Sequence, residues 1–564
     1  MNFMIDLTQF VFFLVILTSL SVVCGNYFAK VFQGEKNFLS PLLSRFEKML
    51  YRLLKINPDQ QMDWKEYAKN LLIFSVLGIL FLVIIQVTQQ FLPLNPQKIK
   101  NVDLLLALNT AISFVTNTNW QSYSGETTLS NFVQMIGLAV QNFISAAVGI
   151  SVLIVLIRGI VTRKKTLLGN FWNDLTKSVL YVLLPLSIIV SLILVSQGVV
   201  QTFSADVKAT TLEGAEQIIP LGPAASQIAI KQLGTNGGGF FGVNSAFPFE
   251  NPTPFSNFIQ VLSILLIPAS LVFTYGKMLG NKKHAWIIFS VMMFVFISGV
   301  VVSYISEISS NPIYHNAQLM EGKETRFGIF NSVLWSVATT VASNGSVNSM
   351  HSSLSPVSGM ITMLNMQLGE IIFGGVGSGL YGLFLFILLT VFTAGLMVGR
   401  TPEYFGKKIE SYEIKWAIIG VLLPSVVILL FTSIGLTTNS GLKSILNKGP
   451  HGFSEILYAF TSAGGNNGSA FAGLNTNTDF YNILMGIAML FGRFGVIIPV
   501  LAIAGNLVKK NIAPTTTGTL STNNFLFGFL LLSIILIVGA LTFFPVLSIG
   551  PILEQLLLNS GITF

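Results

Sequence analysis

Ten apolar stretches, each long enough to cross a lipid bilayer, dominate this chain of 564 residues. The hydrocarbon core of a bilayer is about 30 Å thick, which requires roughly 20 apolar residues in a helix. Inside that core backbone amides must be paired within the protein, so only helices and closed barrels span it. The sequence therefore predicts an all-α polytopic membrane protein with ten transmembrane helices. They are expected near residues 3–24, 71–92, 132–157, 179–200, 258–279, 285–305, 368–398, 414–436, 481–504 and 524–549.

The amino-acid composition agrees with a membrane environment and limits which kinds of molecule the protein is expected to bind. The chain is 52% hydrophobic and only 10% charged, with a formal net charge of +8. Its cations are dispersed over loops that an anionic lipid leaflet would attract, so we expect membrane lipid and no nucleic acid as a partner. The single cysteine, Cys24, excludes an internal disulfide. The four histidines show no paired metal spacing, and we expect no cofactor.

The distribution of Lys and Arg predicts the orientation of the chain, because cytoplasmic loops carry an excess of these residues. Of the 31 cations, 22 fall in one set of alternate loops, Arg400 among them, and Arg493 lies inside a span. The opposite loops hold only Lys98, Lys100, Lys208, Lys231, Lys323, Arg326, Lys443 and Lys448. Ten spans then place both termini outside the cell.

Four short polar stretches recur between the spans. They read TNTN at 116–119, TNGG at 235–238, SNGS at 343–346 and NNGS at 466–469, and all four lie on the predicted outer side. Each follows an apolar segment too short to span the bilayer, near 104–115, 224–233, 329–342 and 453–461. The pattern predicts four fused repeats of span, pore helix, loop and span around one pseudo-fourfold pore, with one extra span at each end.

These stretches have the composition of an ion-selective filter. Non-helical backbone at membrane depth is tolerated where it lines a cavity, and carbonyl oxygens around an axis can replace the hydration shell of an ion. Taken singly, each stretch could be an ordinary turn. The candidate filter residues are Val115, Thr116, Asn117, Thr118, Gly234, Thr235, Asn236, Gly237, Gly238, Ala342, Ser343, Asn344, Gly345, Gly465, Asn466, Asn467 and Gly468.

The first repeat differs from the others. Aligning Asn117 with the asparagine of each other stretch places Thr118 where the other repeats have Gly237, Gly345 and Gly468. We therefore expect an unequal ring, because a branched Cβ restricts the backbone. Asn119 and Gln121 belong to the expected surroundings of the filter. Asp103, Glu126 and Glu250 near the outer mouth could raise the local cation concentration, although each alone is expected to be a solvated loop residue.

Two charges and a glycine cluster predict a gate or an ion path inside the membrane. Arg493 lies in the middle of a span, where a charge is costly and has a functional or paired role. Glu370 precedes Gly374, Gly375 and Gly377, which make a continuous helix doubtful at that point. Alternatively, Arg493 is a structural residue bound to a carboxylate or carbonyl, Glu370 lies at the outer boundary, and the glycines permit close helix packing.

The predicted organisation is one membrane domain in successive segments. A first extra span covers residues 1–28 and a cytoplasmic segment covers 29–70. The four pore repeats cover residues 71–157, 158–280, 281–400 and 401–504, and the last extra span covers 505–564.

Several long phrases carry a resemblance to a known family. They are TNTNWQSYSGE at 116–126, GTNGGGFF at 234–241, NPTPFSN at 251–257, GRTPEY at 399–404, GGNNGSAFAG at 464–473 and GRFGVIIP at 492–499. In these phrases the chain resembles the potassium-binding A subunits (KdpA) of the bacterial Kdp potassium-transporting ATPases, members of the potassium-channel superfamily. Because the phrases are ordered and spread along the chain, the resemblance is specific.

The resemblance implies a non-catalytic subunit of a high-affinity ATP-driven potassium uptake system in the bacterial cell membrane. Its partners in the Kdp complex would be the P-type ATPase (KdpB), a single-span protein (KdpC) and a small protein (KdpF). Potassium, as the transported ligand, would bind the filter and pass to KdpB, and Gln121 would influence affinity. The sequence itself contains no phosphorylation motif or phosphate-binding loop of an ATPase.

Other functions remain open at this point. The nearest alternative is a self-sufficient potassium channel or ion-coupled potassium transporter of the same superfamily. A membrane-embedded enzyme is disfavoured because the spans offer no nucleophile or metal constellation. A carrier for organic solutes is disfavoured because its two inverted halves conflict with four repeats in one orientation. The residues alone predict a monovalent cation, and potassium over sodium rests on the resemblance.

Overall fold

The computed structural model describes residues 3–204, 206–309, 319–397, 399, 401–513 and 520–563. Arg400, counted above among the cytoplasmic cations and the last residue of the third predicted repeat, lies outside the described residues. The predicted segment ends at residues 1 and 564 do so as well.

Within the described residues, ten helices are long and apolar enough to cross a membrane, as the sequence predicted. We number them spans 1 to 10 in chain order. Span 7 is broken, and its outer half, Pro356–Gln367, is a separate helix. The spans are Phe3–Gln33, Trp64–Val87, Val133–Val161, Phe171–Ser196, Pro254–Met278, Lys282–Ile308, Ser378–Met397, Ser411–Thr437, Asp479–Leu507 and Phe525–Asn559.

Four shorter helices lie at the predicted pore-helix positions. Pore helices 1 to 4 are Leu104–Val115, Ala224–Leu233, Gly328–Val341 and Gly449–Gly465. Pore helix 1 begins where the Asp103 carboxylate accepts a hydrogen bond from the Leu105 amide, which satisfies a donor that the first turn leaves free. The fourth extends beyond its predicted range of 453–461 by four residues at each end. It begins at the Gly449-Pro450 pair, which the apolar pattern does not include.

The remaining elements are short and lie between the spans. A helix on the predicted cytoplasmic segment covers Ser40–Leu53, and single turns cover Gly125–Thr128 and Asn439–Leu442. Two antiparallel hairpins pair Val207–Thr210 with Glu216–Ile219 and Glu403–Tyr404 with Lys407–Lys408.

Burial separates the two spans of each repeat. In the most apolar stretch of spans 3, 5, 7 and 9, which follow the pore helices, 61–89% of residues are buried inside the protein. In spans 2, 4, 6 and 8 the share is 28–44%, and in the extra spans 1 and 10 it is 22% and 28%. Helices that are apolar on all sides can contact protein or lipid. The second span of each repeat therefore forms the inner layer, and the first spans contact it from outside.

Span 7 departs from its predicted form. The sequence predicted a single helix over residues 368–398, but the chain is helical over Pro356–Gln367, non-helical over 368–377 and helical again from Ser378. Gly369, Glu370, Phe373 and Gly377 have positive φ angles, which an α-helix cannot contain. The apolar pattern missed the outer half because that helix carries several polar residues that face protein rather than lipid.

Candidate functional site: a ring of four polar loops

Each pore helix ends in a polar loop with the same backbone hydrogen bond. We call residues 116–119, 234–238, 342–345 and 465–468 loops 1 to 4, and the first four residues of each are positions 1 to 4. The position 3 amide donates to the carbonyl five residues earlier in the pore helix. The pairs are Thr118 to Ser113, Asn236 to Lys231, Asn344 to Thr339 and Asn467 to Ser462, at 2.9–3.0 Å.

The φ angles also show that residues at the same position in the four loops are structurally equivalent. Position 2 is left-handed in all four loops, with φ of 66°, 47°, 51° and 61° at Asn117, Thr235, Ser343 and Asn466. Position 4 is left-handed as well, with φ of 52°, 73°, 84° and 104° at Asn119, Gly237, Gly345 and Gly468. Four non-glycine residues in this sparsely allowed region at one position indicate a backbone held by its surroundings.

This equivalence corrects the sequence alignment of the first repeat by one residue. The residue that replaces the glycines is Asn119, and Thr118 is equivalent to the asparagines Asn236, Asn344 and Asn467. The alignment paired Thr116-Asn117 with Thr235-Asn236 because the residue types are identical. The hydrogen bonds instead make Asn117 equivalent to Thr235 and Thr118 equivalent to Asn236. Asparagine adopts the left-handed conformation more readily than a branched residue does.

The loops touch one another in cyclic order. A Cβ on Gly237 of loop 2 would overlap the carbonyl of Asn344 in loop 3, and a Cβ on Gly345 would overlap that of Asn467 in loop 4. A Cβ on Gly468 of loop 4 would overlap the carbonyl of Thr118 in loop 1. The absence of a side chain at position 4 therefore allows each loop to pack against the position 3 carbonyl of the next loop.

Asn119 closes the ring by a different contact. Its side-chain amide donates to the carbonyl of Asn236, the position 3 residue of loop 2, at 2.8 Å. The order of contacts is therefore 1 to 2, 2 to 3, 3 to 4 and 4 to 1. Position 4 contacts the neighbouring position 3 carbonyl in every case, through backbone in loops 2 to 4 and through a side chain in loop 1.

Side chains at positions 2 and 3 stabilise the ring through hydrogen bonds to backbone carbonyls of neighbouring loops and pore helices. The Asn344 amide donates to the carbonyl of Lys231 at 3.0 Å, and the Asn467 amide donates to the equivalent carbonyl of Thr339 at 2.9 Å. The Ser343 hydroxyl donates to the carbonyl of Asn466 at 2.8 Å, and the Asn117 amide donates to that of Thr235 at 2.9 Å. These bonds join each loop to a neighbour and limit its freedom to move alone.

The remaining candidate filter residues lie at the edges of the ring. Val115 and Gly465 are the last residues of their pore helices, and Thr116, Gly234 and Ala342 follow the helix ends directly. Gly238 lies against loop 1, because a Cβ there would be 3.3 Å from the carbonyl of Asn119. All the predicted filter residues are thus brought together.

Gln121 joins the exits of loops 1 and 2. Its side-chain oxygen accepts from the Gly239 amide at 2.7 Å, and its amide donates to the Gly239 carbonyl at 3.1 Å. A bidentate bond of this kind fixes the chain immediately after Gly238. Gln121 therefore acts on loop 2 although it follows loop 1 in the sequence.

The break in span 7 lies against two of the loops. The Glu370 carboxylate accepts from the Asn467 amide of loop 4 at 2.6 Å, and the Val376 amide donates to the Thr235 hydroxyl of loop 2 at 2.8 Å. Glu370 is only 2% exposed, so it is buried inside the protein and does not face solvent. Its second carboxylate oxygen has no hydrogen-bond partner among the described residues.

The glycines of the break have neighbouring atoms where a side chain would lie. A Cβ on Gly374 would overlap the carbonyl of Glu370, and one on Gly375 would overlap the Ser378 hydroxyl. A Cβ on Gly377 would overlap the carbonyl of Gly149 in span 3. These residues permit a compact turn and a close approach to span 3 rather than continuous helix packing.

Arg493 binds a carbonyl from another repeat. Its guanidinium donates to the Ser145 carbonyl of span 3 at 3.1 Å, and the Ser145 hydroxyl donates to the Asn117 side chain at 2.7 Å. Among the described residues no carboxylate lies within salt-bridge distance of Arg493. The arginine is therefore a buried cation bonded to the carbonyl of Ser145, a residue that itself hydrogen-bonds to loop 1.

A cavity lies between the break and span 9. It has a volume of about 80 Å³, and its lining includes Ser343, Glu370, Asn466 and Arg493. Roughly 15 Å³ is enough for one water molecule, so this cavity has room for several waters or a cation. It brings the two predicted intramembrane charges to one space beside loops 3 and 4.

The outer acidic residues have separate roles. Glu126 accepts from the Gly242 amide at 2.8 Å, and burial raises the pKa of its carboxyl group. Asp103 caps pore helix 1. The expectation of a solvated loop is wrong for Glu250, which is fully buried and forms an ion pair with Lys231 at 2.5 Å. A lone lysine in the otherwise uncharged pore helix 2 was the signal for this pair.

Comparison with known proteins agrees with these observations. The family model described as KdpA, potassium-transporting ATPase A subunit, matches residues 11–556. The potassium-transporting ATPase potassium-binding subunit of Leptospira interrogans is 59% identical over 523 residues, covering 92% of this chain and 94% of the relative. The subunit of the same name from Pseudomonas aeruginosa is 54% identical over 540 residues, covering 95% of this chain and 96% of the relative.

A solved structure shares the fold. The potassium transporter TrkH from Vibrio parahaemolyticus superimposes with a TM-score of 0.53, covering 86% of this chain and 95% of that chain. Identity is 14%, so the likeness shows the fold alone. With the family model and the close relatives, these findings give one conclusion: the chain belongs to the family of potassium-transporting ATPase A subunits, KdpA.

Proposed function

We propose that the ring of loops 1 to 4 binds potassium at a filter facing the outside of the cell. The observation that carries this proposal is the cyclic contact of position 4 in each loop with the position 3 carbonyl of the next. Such a ring holds backbone oxygens at membrane depth in a fixed arrangement, which is how a filter replaces the hydration shell of a cation. The names of the close relatives support potassium as that cation.

The chain is then the potassium-binding and translocating subunit of a high-affinity ATP-driven uptake system. Hydrolysis of ATP belongs to the P-type ATPase KdpB, to which the ion passes, and KdpC and KdpF complete the complex. The relatives' names support a complex of this kind, because they describe one subunit of an ATPase. The location is the bacterial cell membrane, with both termini extracytoplasmic, as the distribution of Lys and Arg favours.

The break in span 7 and Arg493 form a gate or an ion path below the ring. The unpartnered oxygen of Glu370 is available to a cation in the cavity. Arg493 opposes free axial flow of cations there, because like charges repel strongly where water is scarce. Together the two charges favour a regulated passage over an open channel.

The test is ATP hydrolysis by the complex purified through this chain, titrated with potassium and then with sodium. We expect hydrolysis stimulated by potassium and a large rise in the half-saturation concentration for potassium in Gly237→Asp. The new Cβ would overlap the Asn344 carbonyl at a φ of 73°, and the carboxylate would add a charge at the ring.

The contrary outcomes are distinct. Unchanged potassium dependence in Gly237→Asp would remove loop 2 from the binding site. Potassium flux through the purified chain without any associated ATPase would instead make the protein a self-sufficient channel or transporter.

A further inference from the structure

A buried ion pair lies directly behind loop 2. The Lys231 ammonium of pore helix 2 and the Glu250 carboxylate lie 2.5 Å apart, and their side chains are 1% and 0% exposed. We infer that this ion pair is a positioning element that sets potassium affinity by holding loop 2 and the chain that directly follows it. The inference rests on the proposed function, since it assigns a role to residues outside the ring in binding at the ring.

The backbone of Lys231 holds positions 3 and 4 of loop 2. Its carbonyl accepts from the amides of Asn236 at 2.9 Å and Gly237 at 3.3 Å. The same carbonyl accepts from the Asn344 side chain of loop 3 at 3.0 Å. One peptide group therefore joins pore helix 2, loop 2 and loop 3, and any displacement of Lys231 moves all three.

Glu250 holds the chain that follows the same loop. Its Oε2 binds the Lys231 ammonium, and its Oε1 accepts from the Phe241 amide at 2.9 Å. Phe241 lies three residues after Gly238, the last residue of loop 2. The carbonyl of Glu250 accepts from Gln260 of span 5 at 2.9 Å. The ion pair thus connects the pore helix, the exit of loop 2 and an inner-layer span.

The other three repeats have no charge at this position. The residues equivalent to Lys231 are Ser113, Thr339 and Ser462, which are small and carry hydroxyls. The Ser113 hydroxyl donates to the Trp120 carbonyl at 2.9 Å, and the Ser462 hydroxyl accepts from the Gly468 amide at 2.9 Å. In those two repeats a hydroxyl joins the pore helix directly to its own loop or to the residue that follows it. Loop 2 ends in Gly237 and Gly238 and is followed by Gly239, and there the longer ion pair replaces that connection.

A second buried ion pair provides a matched control. Lys323 and Glu307 lie 3.0 Å apart with side chains 1% and 2% exposed. Glu307 also accepts from the Ser355 amide, and Lys323 donates to the Ser353 carbonyl. Neither residue has a hydrogen bond to loops 1 to 4 within the described ranges. Removing this pair tests the general cost of breaking a buried ion pair in the same protein.

The experiment compares Lys231→Met, Glu250→Gln, the double variant Lys231→Met with Glu250→Leu, and Lys323→Met. Potassium-stimulated ATP hydrolysis gives the half-saturation concentration and the maximal rate of the purified complex, and thermal unfolding gives its stability. Removing one partner of a buried pair leaves an uncompensated charge, and apolar replacement of both partners often restores stability. The double variant therefore separates positioning from folding.

We expect Lys231→Met and Glu250→Gln to raise the potassium half-saturation concentration about tenfold or more, as the loss of a buried charge partner does in binding. In the double variant stability recovers but the raised half-saturation remains, because leucine cannot accept from Phe241. Lys323→Met lowers the melting temperature. It leaves the potassium half-saturation concentration within about twofold of the natural value, because substitutions that share no contacts act independently.

Two results would overturn the inference. One is a double variant that assembles with the natural half-saturation concentration, and the other is a shift in Lys323→Met equal to that in Lys231→Met. Failure of all the Lys231 and Glu250 variants to assemble, with Lys323→Met intact, would also overturn it in favour of a folding role. A natural complex without potassium dependence would contradict the proposed function itself, which the natural protein reveals before any variant is made.

Discussion

Loop 1 and loops 2 to 4 reach the same backbone conformation with different residues. Position 4 is glycine in loops 2, 3 and 4 and asparagine in loop 1, yet φ is positive at all four. The glycines allow close backbone packing on the next loop, whereas Asn119 donates a hydrogen bond to the Asn236 carbonyl. The conformation is therefore set by the ring as a whole and not by the residue at one position.

The difference also shows where the ring is unequal. The Asn236 carbonyl accepts a side-chain hydrogen bond from Asn119, while the equivalent carbonyls of Asn344, Asn467 and Thr118 contact a glycine. An oxygen engaged by an amide is a weaker ligand for a cation than a free one. A potassium ion bound at this level would thus meet unequal oxygens from the four repeats.

The largest effect is expected from giving a glycine loop a side chain. In Gly468→Ala the new Cβ would overlap the Thr118 carbonyl at a φ of 104°. Strain of about 3 kcal/mol corresponds to about a hundredfold rise in the potassium half-saturation concentration. Potassium-stimulated ATP hydrolysis by the purified complex measures it.

Gly214→Ala is the control for this substitution. Gly214 has a φ of 82° with no atom within 4 Å of an added Cβ, so it tests backbone strain without overlap. We expect potassium dependence to be unchanged there. A Gly468→Ala complex with the natural half-saturation concentration would show that the contact between loops 4 and 1 is not needed for binding.

An intermediate effect on potassium binding is expected from replacing Asn119, the one residue at position 4 that is not glycine. Asn119→Asp removes the donor and places a carboxylate oxygen against the Asn236 carbonyl, which should raise the half-saturation concentration about tenfold. Asn119→Gly makes loop 1 resemble the others and loses one hydrogen bond, for a rise of about fivefold. Titrations with potassium and rubidium measure both. If neither variant changes the titration, the unequal ring has no role in binding.

The smallest effect is expected at position 2, where the four loops carry Asn117, Thr235, Ser343 and Asn466. Ser343→Ala removes one hydroxyl that donates to the Asn466 carbonyl at 2.8 Å. A single neutral hydrogen bond contributes about 0.5–1 kcal/mol, so the half-saturation concentration should rise about twofold to fivefold. A rise as large as that in Gly468→Ala would show that position 2, and not position 4, determines the geometry of the ring.

Much of the fold was predictable because a membrane restricts the choices. Apolar runs of about 20 residues must be helices there. Ten spans were predicted, and the part of the chain that the structure describes contains ten helices long and apolar enough to be spans. Pore helices 1 and 2 have the predicted bounds, Leu104–Val115 and Ala224–Leu233. Polar residues and glycine end each of these apolar runs sharply, which makes their ends readable in the sequence.

Span 7 and the register of loop 1 were not predictable in the same way. Apolarity indicates burial in lipid or protein without distinction, so the polar helix Pro356–Gln367 had no signal as half of a span. The alignment of Asn117 with Asn236 relied on identical letters, whereas the equivalence follows from hydrogen bonds to Ser113 and Lys231. Hydrogen bonds between backbone groups cannot be inferred from the types of the residues that form them.

By itself the sequence determined the class of protein, the number of spans, the four polar loops and the family. Hydrophobicity and glycine content act locally along the chain and can be read residue by residue. Only the tertiary structure decided which loop contacts which, that Glu250 is buried against Lys231, and that Glu370 lies beneath loop 4. These contacts join residues far apart in the chain. The residue type alone does not show whether a charged side chain is exposed or is buried against a partner.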